Sequence, residues 1–155
     1  LRFQVLRLAA APGRKVYKKK LVNLVERYSL NKKVKFIDHC KEMPLAYSLA
    51  DAVVSASIEP EAFGRVAVEA QSMGKPIIAS NIGGSKETIL NKKSGFLYKF
   101  DDPRELAKSL NTVIQLTQEE LISMGNEGRK NITKKFDVET MCDTNLNEYK
   151  KLLKK

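Results

Sequence analysis

The densest group of side chains able to do chemistry is one loop and the start of one helix. It reads Ser57-Ile58-Glu59-Pro60-Glu61-Ala62-Phe63-Gly64-Arg65 and continues as Val66-Ala67-Val68-Glu69-Ala70. Acidic residues crowd the point where a buried strand ends, and Gly64 lets a ligand approach the backbone closely. Glu69 falls in the first turns of a small, apolar helix that reads as buried. A carboxylate buried there must be paired or hydrogen-bonded, and a vicinal diol is one partner, since both its hydroxyls can donate to one carboxylate. The helix start after Gly64 offers free backbone amides and positive dipole character, suited to a phosphate. Sugar hydroxyls plus a phosphate describe a nucleotide sugar. The plainer alternatives are a salt bridge from Glu69 to a neighbouring lysine and a solvated Glu61. Arg65 is the odd residue, because a cation at a helix start opposes the dipole; a contact to a phosphate or to an acceptor would explain it, as would a solvated side chain.

The elements that must position this loop alternate along the chain. Phe3 to Leu8 has a strand's composition, and Val16 to Tyr28 carries an apolar stripe at helical spacing between basic residues. Val34 to Ile37 is a short β-rich run, Pro44 to Leu49 a short helix, and Ala52 to Ser55 a buried strand. Val66 to Met73 reads as a helix stopped by Gly74 and Pro76. Pro76 to Ala79 is a further buried strand, Gly83-Gly84 a tight turn, Lys86 to Leu90 a helical segment, and Gly95 to Tyr98 a last strand. Beyond it the pattern is helical. Asp102-Pro103 with Glu105, and Thr117 with Glu120, are helix-start signals, and a closing helix runs from about Val138 to Leu153. Short apolar strands between helices predict an α/β fold, a Rossmann-like parallel sheet with helices on both faces and a helical C-terminal end. Ligands of such sheets sit at the carboxyl ends of the strands.

The 155 residues fit one domain, 43% are hydrophobic and 30% charged, an ordinary globular balance. No apolar run reaches the roughly 20 residues of a membrane span, nothing at the start reads as a signal peptide, and an initial Leu hints at a fragment. Cys40 and Cys142, without a CxxC spacing, give neither a disulfide framework nor a zinc site, so a reducing cytoplasm is the default. His39 is the single histidine, which excludes a histidine-based triad. Asp101-Asp102 reads as a helix cap and not as a metal motif. The formal charge of +10 attracts phosphates, nucleic acid or an anionic membrane face; no RNP pattern or finger spacing accompanies it, so a nucleic-acid partner is not expected.

Met43 to Glu87 resembles the retaining glycosyltransferases of the GT-B fold, family 4 (group 1) type. Their mark is two glutamates separated by seven residues with Phe-Gly between, which Glu61-Ala62-Phe63-Gly64-Arg65-Val66-Ala67-Val68-Glu69 matches without a gap. The continuation Ala70 to Ser80, the Gly-Gly loop Asn81 to Glu87 and the return strand Ser94-Gly95-Phe96-Leu97 are similar too. The resemblance covers nearly the whole chain and is strongest over residues 51–97.

The resemblance implies a donor site. Glu61 would be the catalytic residue, holding hydroxyls of the transferred sugar, and Glu69 would hold the ribose diol. Backbone amides around Phe63, Gly64 and Arg65 would line the sugar and diphosphate, with Gly83 and Gly84 facing them. The loop from His39 through Cys40 to Met43 would pack against the base. It further implies sugar transfer with retention, no metal and no cofactor beyond the nucleotide-sugar donor as substrate, and basic groups and helix-start amides stabilising the departing diphosphate.

The family's diphosphate-binding Arg and Lys follow a strand that precedes this chain, and the usual glycine-rich loop is represented by Arg7-Leu8-Ala9-Ala10-Ala11-Pro12-Gly13-Arg14. On this reading residues 1–155 are one nucleotide-sugar-binding domain, the C-terminal half of a two-domain enzyme. Its N-terminal acceptor domain and first strand-helix lie outside the chain. The expected partners are the nucleotide sugar, that acceptor domain and, through basic patches, an anionic membrane; the expected location is the cytoplasm or the inner membrane face. The alternative is a nucleotide-sugar-binding module without catalytic duty.

Overall fold

The structure is a computed structural model and describes residues 14–37 and 40–153. The expected strand Phe3 to Leu8, the loop Arg7 to Gly13, His39 and the terminal Lys154 and Lys155 lie outside the described residues. The chain divides between Ala50 and Asp51 into two compact units.

In the first unit, α1 spans Arg14–Arg27 and α2 spans Met43–Ser48. α1 ends where Ser29 takes a left-handed conformation, φ 54°. The Leu30 amide then donates to the Val25 carbonyl at 2.8 Å, so the closing carbonyls of the helix are satisfied without a glycine. Val34 to Ile37 is not a strand: Val34 makes a single bridge and residues 35–37 have no regular structure. Lys35 interrupts the apolar residues there, and β-rich composition over four residues is a weak signal without a ladder to join.

The second unit holds the sheet. β1 (Val53–Ser55), β2 (Ile77–Ser80) and β3 (Gly95–Tyr98) lie in the order β1-β2-β3, all parallel. Val54 stands opposite Ile78, and Ile78 opposite Phe96. All four residues of β2 are buried, which is why this strand reads as a continuous apolar run and not as an alternation.

Between the strands lie α3 (Arg65–Ser72) and α4 (Ser85–Thr88), and after them α5 (Pro103–Gln115), α6 (Gln118–Lys135) and α7 (Val138–Leu153). The starts of α5 and α6 follow from the sequence. Asp102 Oδ1 accepts from the amides of Arg104 and Glu105 at 3.0 and 3.2 Å. Thr117 and Glu120 form a reciprocal capping box at 3.2 and 2.7 Å.

Two packing regions hold the unit together. Ile78, Tyr98, Val113 and Leu121 form an apolar cluster, flanked by Ala52, Phe96, Leu106, Leu110 and Leu116. The α3–α6 contact is polar and close. A methyl group on Gly125 would lie 1.9 Å from the Gly74 carbonyl oxygen, and one on Gly128 would press on the Gln71 side chain; glycine is what lets these backbones touch. Buried Gln71 donates to the carbonyls of Ala67 and Thr88, and Asn131 of α6 donates to the same Thr88 carbonyl, all at 3.1 Å. α3 is thereby pinned to α4 and α6. α7 differs from every other helix of the unit of its length or longer: it has no buried residue.

Candidate active site

α3 starts on Gly64, whose φ of 74° and ψ of 53° place it in the left-handed region. That conformation is costly for a residue with a Cβ, and it turns the chain sharply from the loop into the helix. Gly64 is buried and its carbonyl accepts from the Ala67 and Val68 amides at 2.9 and 3.2 Å. No side chain caps this end of α3, so the helix start retains the positive character of its first amides.

The loop before Gly64 is built against the Gly83-Gly84 turn. The Gly84 amide donates to the Glu61 carbonyl at 2.9 Å. A Cβ on Gly83, which itself has φ 53°, would come within 2.4 Å of the Glu61 carbonyl oxygen, and one on Gly84 within 2.6 Å of the Phe63 carbonyl. Both positions therefore require glycine for contact, and Gly83 also for its backbone angle.

Glu61 has its carboxylate on the exposed side of this loop, where Oε1 accepts from Ser57 Oγ. Ser57 is anchored in turn: its carbonyl accepts from Ser80 Oγ at 2.7 Å. Ser80 ends β2 at 2% exposure. At the end of β3, burial raises the Tyr98 phenol above its ordinary range, and the neighbouring Ser80 side chain offsets part of that rise.

Phe63 is half exposed, and its ring meets the edge of Phe136 at 5.7 Å between centroids and 66° between planes. Phe136 closes the C-terminus of α6, so the Phe-Gly step rests on a helix more than seventy residues downstream (Phe63 to Phe136).

Glu69 corrects the reading of a buried carboxylate. Its side chain is 37% exposed, and Oε1 accepts from Arg65 Nη2 at 3.2 Å, one helical turn earlier. Pairing with Arg65 also accounts for a cation at a helix start. Arg65 is 84% exposed, and such exposed pairs contribute about 0.3–0.5 kcal/mol. α3 buries Ala67, Ala70 and Gln71 instead, the face opposite to a carboxylate at position 69.

The second unit thus brings together Glu61, Phe63, Gly64, Arg65, Glu69, Gly83 and Gly84. Cys40, half-buried, and Met43, the first residue of α2, belong to the first unit. The sequence reading gave no role to two contributors: Ser57, quoted in the loop and four residues before Glu61, and Phe136, whose distance along the chain hides it. Among the described residues, no group of three or more His, Cys, Asp or Glu is arranged to hold a metal ion, and no helix is long and apolar enough to cross a membrane.

A glycine-walled loop and an uncapped helix start, both at the carboxyl edge of a parallel sheet, define a Rossmann-like site of the GT-B kind. The chain belongs to the glycosyl transferases group 1 family, whose model matches residues 4–131. Among solved structures it is similar to HepE of Anabaena, in complex with UDP, at 29% identity and a TM-score of 0.87. That match covers 96% of this chain and 40% of HepE. A glycosyltransferase from Rickettsia africae ESF-5 matches at 30% identity and a TM-score of 0.88, over the same shares of the two chains. Among curated proteins, spore coat protein SA of Bacillus subtilis (strain 168) is 30% identical over 72% of this chain and 29% of its own length. A D-inositol 3-phosphate glycosyltransferase of Corynebacterium urealyticum is 35% identical over 61% of this chain and 22% of its own. The chain therefore spans less than a third of these two curated relatives.

Proposed function

We propose that this chain is the C-terminal, donor-binding domain of a retaining glycosyltransferase that moves a sugar from a nucleotide-sugar donor to an acceptor. The observation that carries the reading is the placement of Glu61 and Glu69 on either side of the Gly64 helix start, with the Gly83-Gly84 turn behind it. HepE of Anabaena, 29% identical, is solved in complex with UDP and with UDP-glucose, which supports a uridine nucleotide as the first donor to test.

In this reading Glu69 accepts both hydroxyls of the ribose. Its pair with Arg65 is exposed and weak, so a diol can displace the guanidinium at small cost, and the freed Arg65 then faces the diphosphate. Amides at the start of α3, around Phe63, Gly64 and Arg65, take the phosphate oxygens, and Gly83 and Gly84 keep side chains out of the way. Glu61 accepts from hydroxyls of the sugar and holds the ring as positive charge develops at the anomeric carbon; the departing phosphate takes the acceptor's proton from the same face. No metal and no further cofactor is needed, and no nucleic acid is involved. The acceptor belongs to an N-terminal domain outside the chain, the location is cytoplasmic, and the basic end of α7, Lys150 and Lys151, is the part that would meet anionic lipid.

A ligand that binds only the folded state raises its melting temperature by mass action. Thermal unfolding with a panel of UDP-, GDP- and ADP-sugars should show selective stabilisation by one nucleotide class, lost in Glu69→Ala. A panel that shifts neither protein removes the donor-site reading.

A further inference from the structure

We propose that Ser57 is a positioning residue for the Glu61 carboxylate, and that it fixes the rotamer from which Glu61 meets the transferred sugar. The inference rests on the donor-site reading above and goes beyond it by naming what aims the carboxylate. Glu61 stands on an exposed loop outside any helix or strand, where a long side chain would sample several rotamers. Its backbone is held from behind by the Gly84 amide, but that contact leaves the side chain free to turn. Ser57 is the side-chain contact that stops it, by donating to Oε1.

Ser57 can do this because it is not itself loose. It follows β1 by two residues, and its carbonyl accepts from Ser80 Oγ at 2.7 Å. Ser80 is 2% exposed on the central strand. Polar groups at two strand ends therefore lead, contact by contact, to one carboxylate: Ser80 at the end of β2, then Ser57 just beyond β1. A sheet is the most rigid part of such a unit, so orientation passes from buried strand ends to an exposed acid. The geometry also divides the carboxylate's work. A carboxylate has about four acceptor positions on its two oxygens; Ser57 occupies one on Oε1 and leaves Oε2 to sugar hydroxyls. A group held within a fraction of an ångström of its productive place is worth a large rate factor, since a misplacement of about 1 Å can cost on the order of 100-fold.

The test uses the full-length protein that carries this chain, with whichever of the UDP-, GDP- and ADP-sugars it turns over fastest, and reads kcat and donor KM separately. Glu61→Ala sets the reference and should lose about 100-fold or more in kcat, the scale of removing one preorganised polar group. Ser57→Ala should lose roughly 10-fold in kcat with donor KM within about 2-fold and an unchanged melting temperature, the pattern of an interaction realised in the transition state. Ser57→Thr, which keeps the hydroxyl, should regain most of the rate. The double variant Ser57→Ala with Glu61→Ala should be no slower than Glu61→Ala alone, because Ser57 acts only through Glu61. If Ser57→Ala matches wild type while Glu61→Ala is dead, the positioning role is wrong and the donor site stands. A double variant slower than Glu61→Ala likewise overturns it, by showing that Ser57 acts elsewhere. If Glu61→Ala itself turns over normally, or no sugar nucleotide is used at all, the donor-site reading fails and this inference with it.

Discussion

The loop from Ser57 to Gly64 and the helix α7 stand in sharp contrast. The loop has no regular structure, yet its backbone lies against Gly83 and Gly84, its carboxylate against Ser57, and its phenylalanine against Phe136. α7 has sixteen residues of regular helix and not one that is buried. Regular hydrogen bonding is thus no measure of how firmly a segment is held. What fixes the loop is contact with elements distant in sequence, while α7 is held by its own backbone and by the Asp137 cap.

The contrast is tested first by removing side-chain volume. Leu121 of α6 is 3% exposed in the apolar cluster, whereas Leu146 of α7 is 50% exposed. Leu121→Ala should cost about 2–5 kcal/mol of unfolding free energy. Leu146→Ala should stay within roughly 0.5 kcal/mol. Denaturant titration of both variants decides it; equal losses would mean that α7 is packed after all.

Adding volume to the loop's wall comes next. Gly84 has ordinary helical angles, φ −63° and ψ −17°, so Gly84→Ala meets no backbone strain and acts only by its clash with Phe63. Overpacking of this kind costs about 1–3 kcal/mol, read as a fall in melting temperature. Donor binding should weaken as well, because the clash displaces the Phe-Gly step.

The smallest effect belongs to α7. Asp137 accepts from the Thr140 amide at 2.7 Å and the Thr140 hydroxyl at 2.9 Å, and these bonds hold its carboxyl below the usual range. A carboxylate with a depressed folded value stabilises the helix fully above the ordinary Asp pKa of about 4 and loses that contribution as pH falls through the lower folded value. The protection of the Thr140 amide, its exchange rate relative to that of unstructured chain at the same pH, should therefore fall on acidification toward and below that value, while amides of β2 stay protected over the same range. A flat Thr140 profile would remove the cap.

Much of this was legible in the sequence. The caps at Asp102 and Thr117, the stop at Gly74 and Pro76, and the bounds of β3 rest on local chemistry within a few residues, which a single sequence displays. The Glu61–Glu69 spacing was legible for the same reason. Contacts across the chain were not. Phe136 under Phe63, and Gly125 against Gly74, join residues far apart, and no periodicity marks them. Val34 to Ile37 looked like a strand because composition was read without a ladder to pair with. Glu69 looked buried because its neighbours are small and apolar, but position 69 lies on the α3 face opposite Ala67, Ala70 and Gln71.

The central claim is that the two glutamates divide the donor between them, Glu69 holding the nucleotide and Glu61 the sugar as it is transferred. Steady-state kinetics of Glu61→Ala and Glu69→Ala in the full-length protein test it most directly. The account predicts a raised donor KM, about 10-fold or more, for Glu69→Ala, and for Glu61→Ala a lost kcat with donor KM little changed. Wild-type kcat and KM in both variants would contradict it.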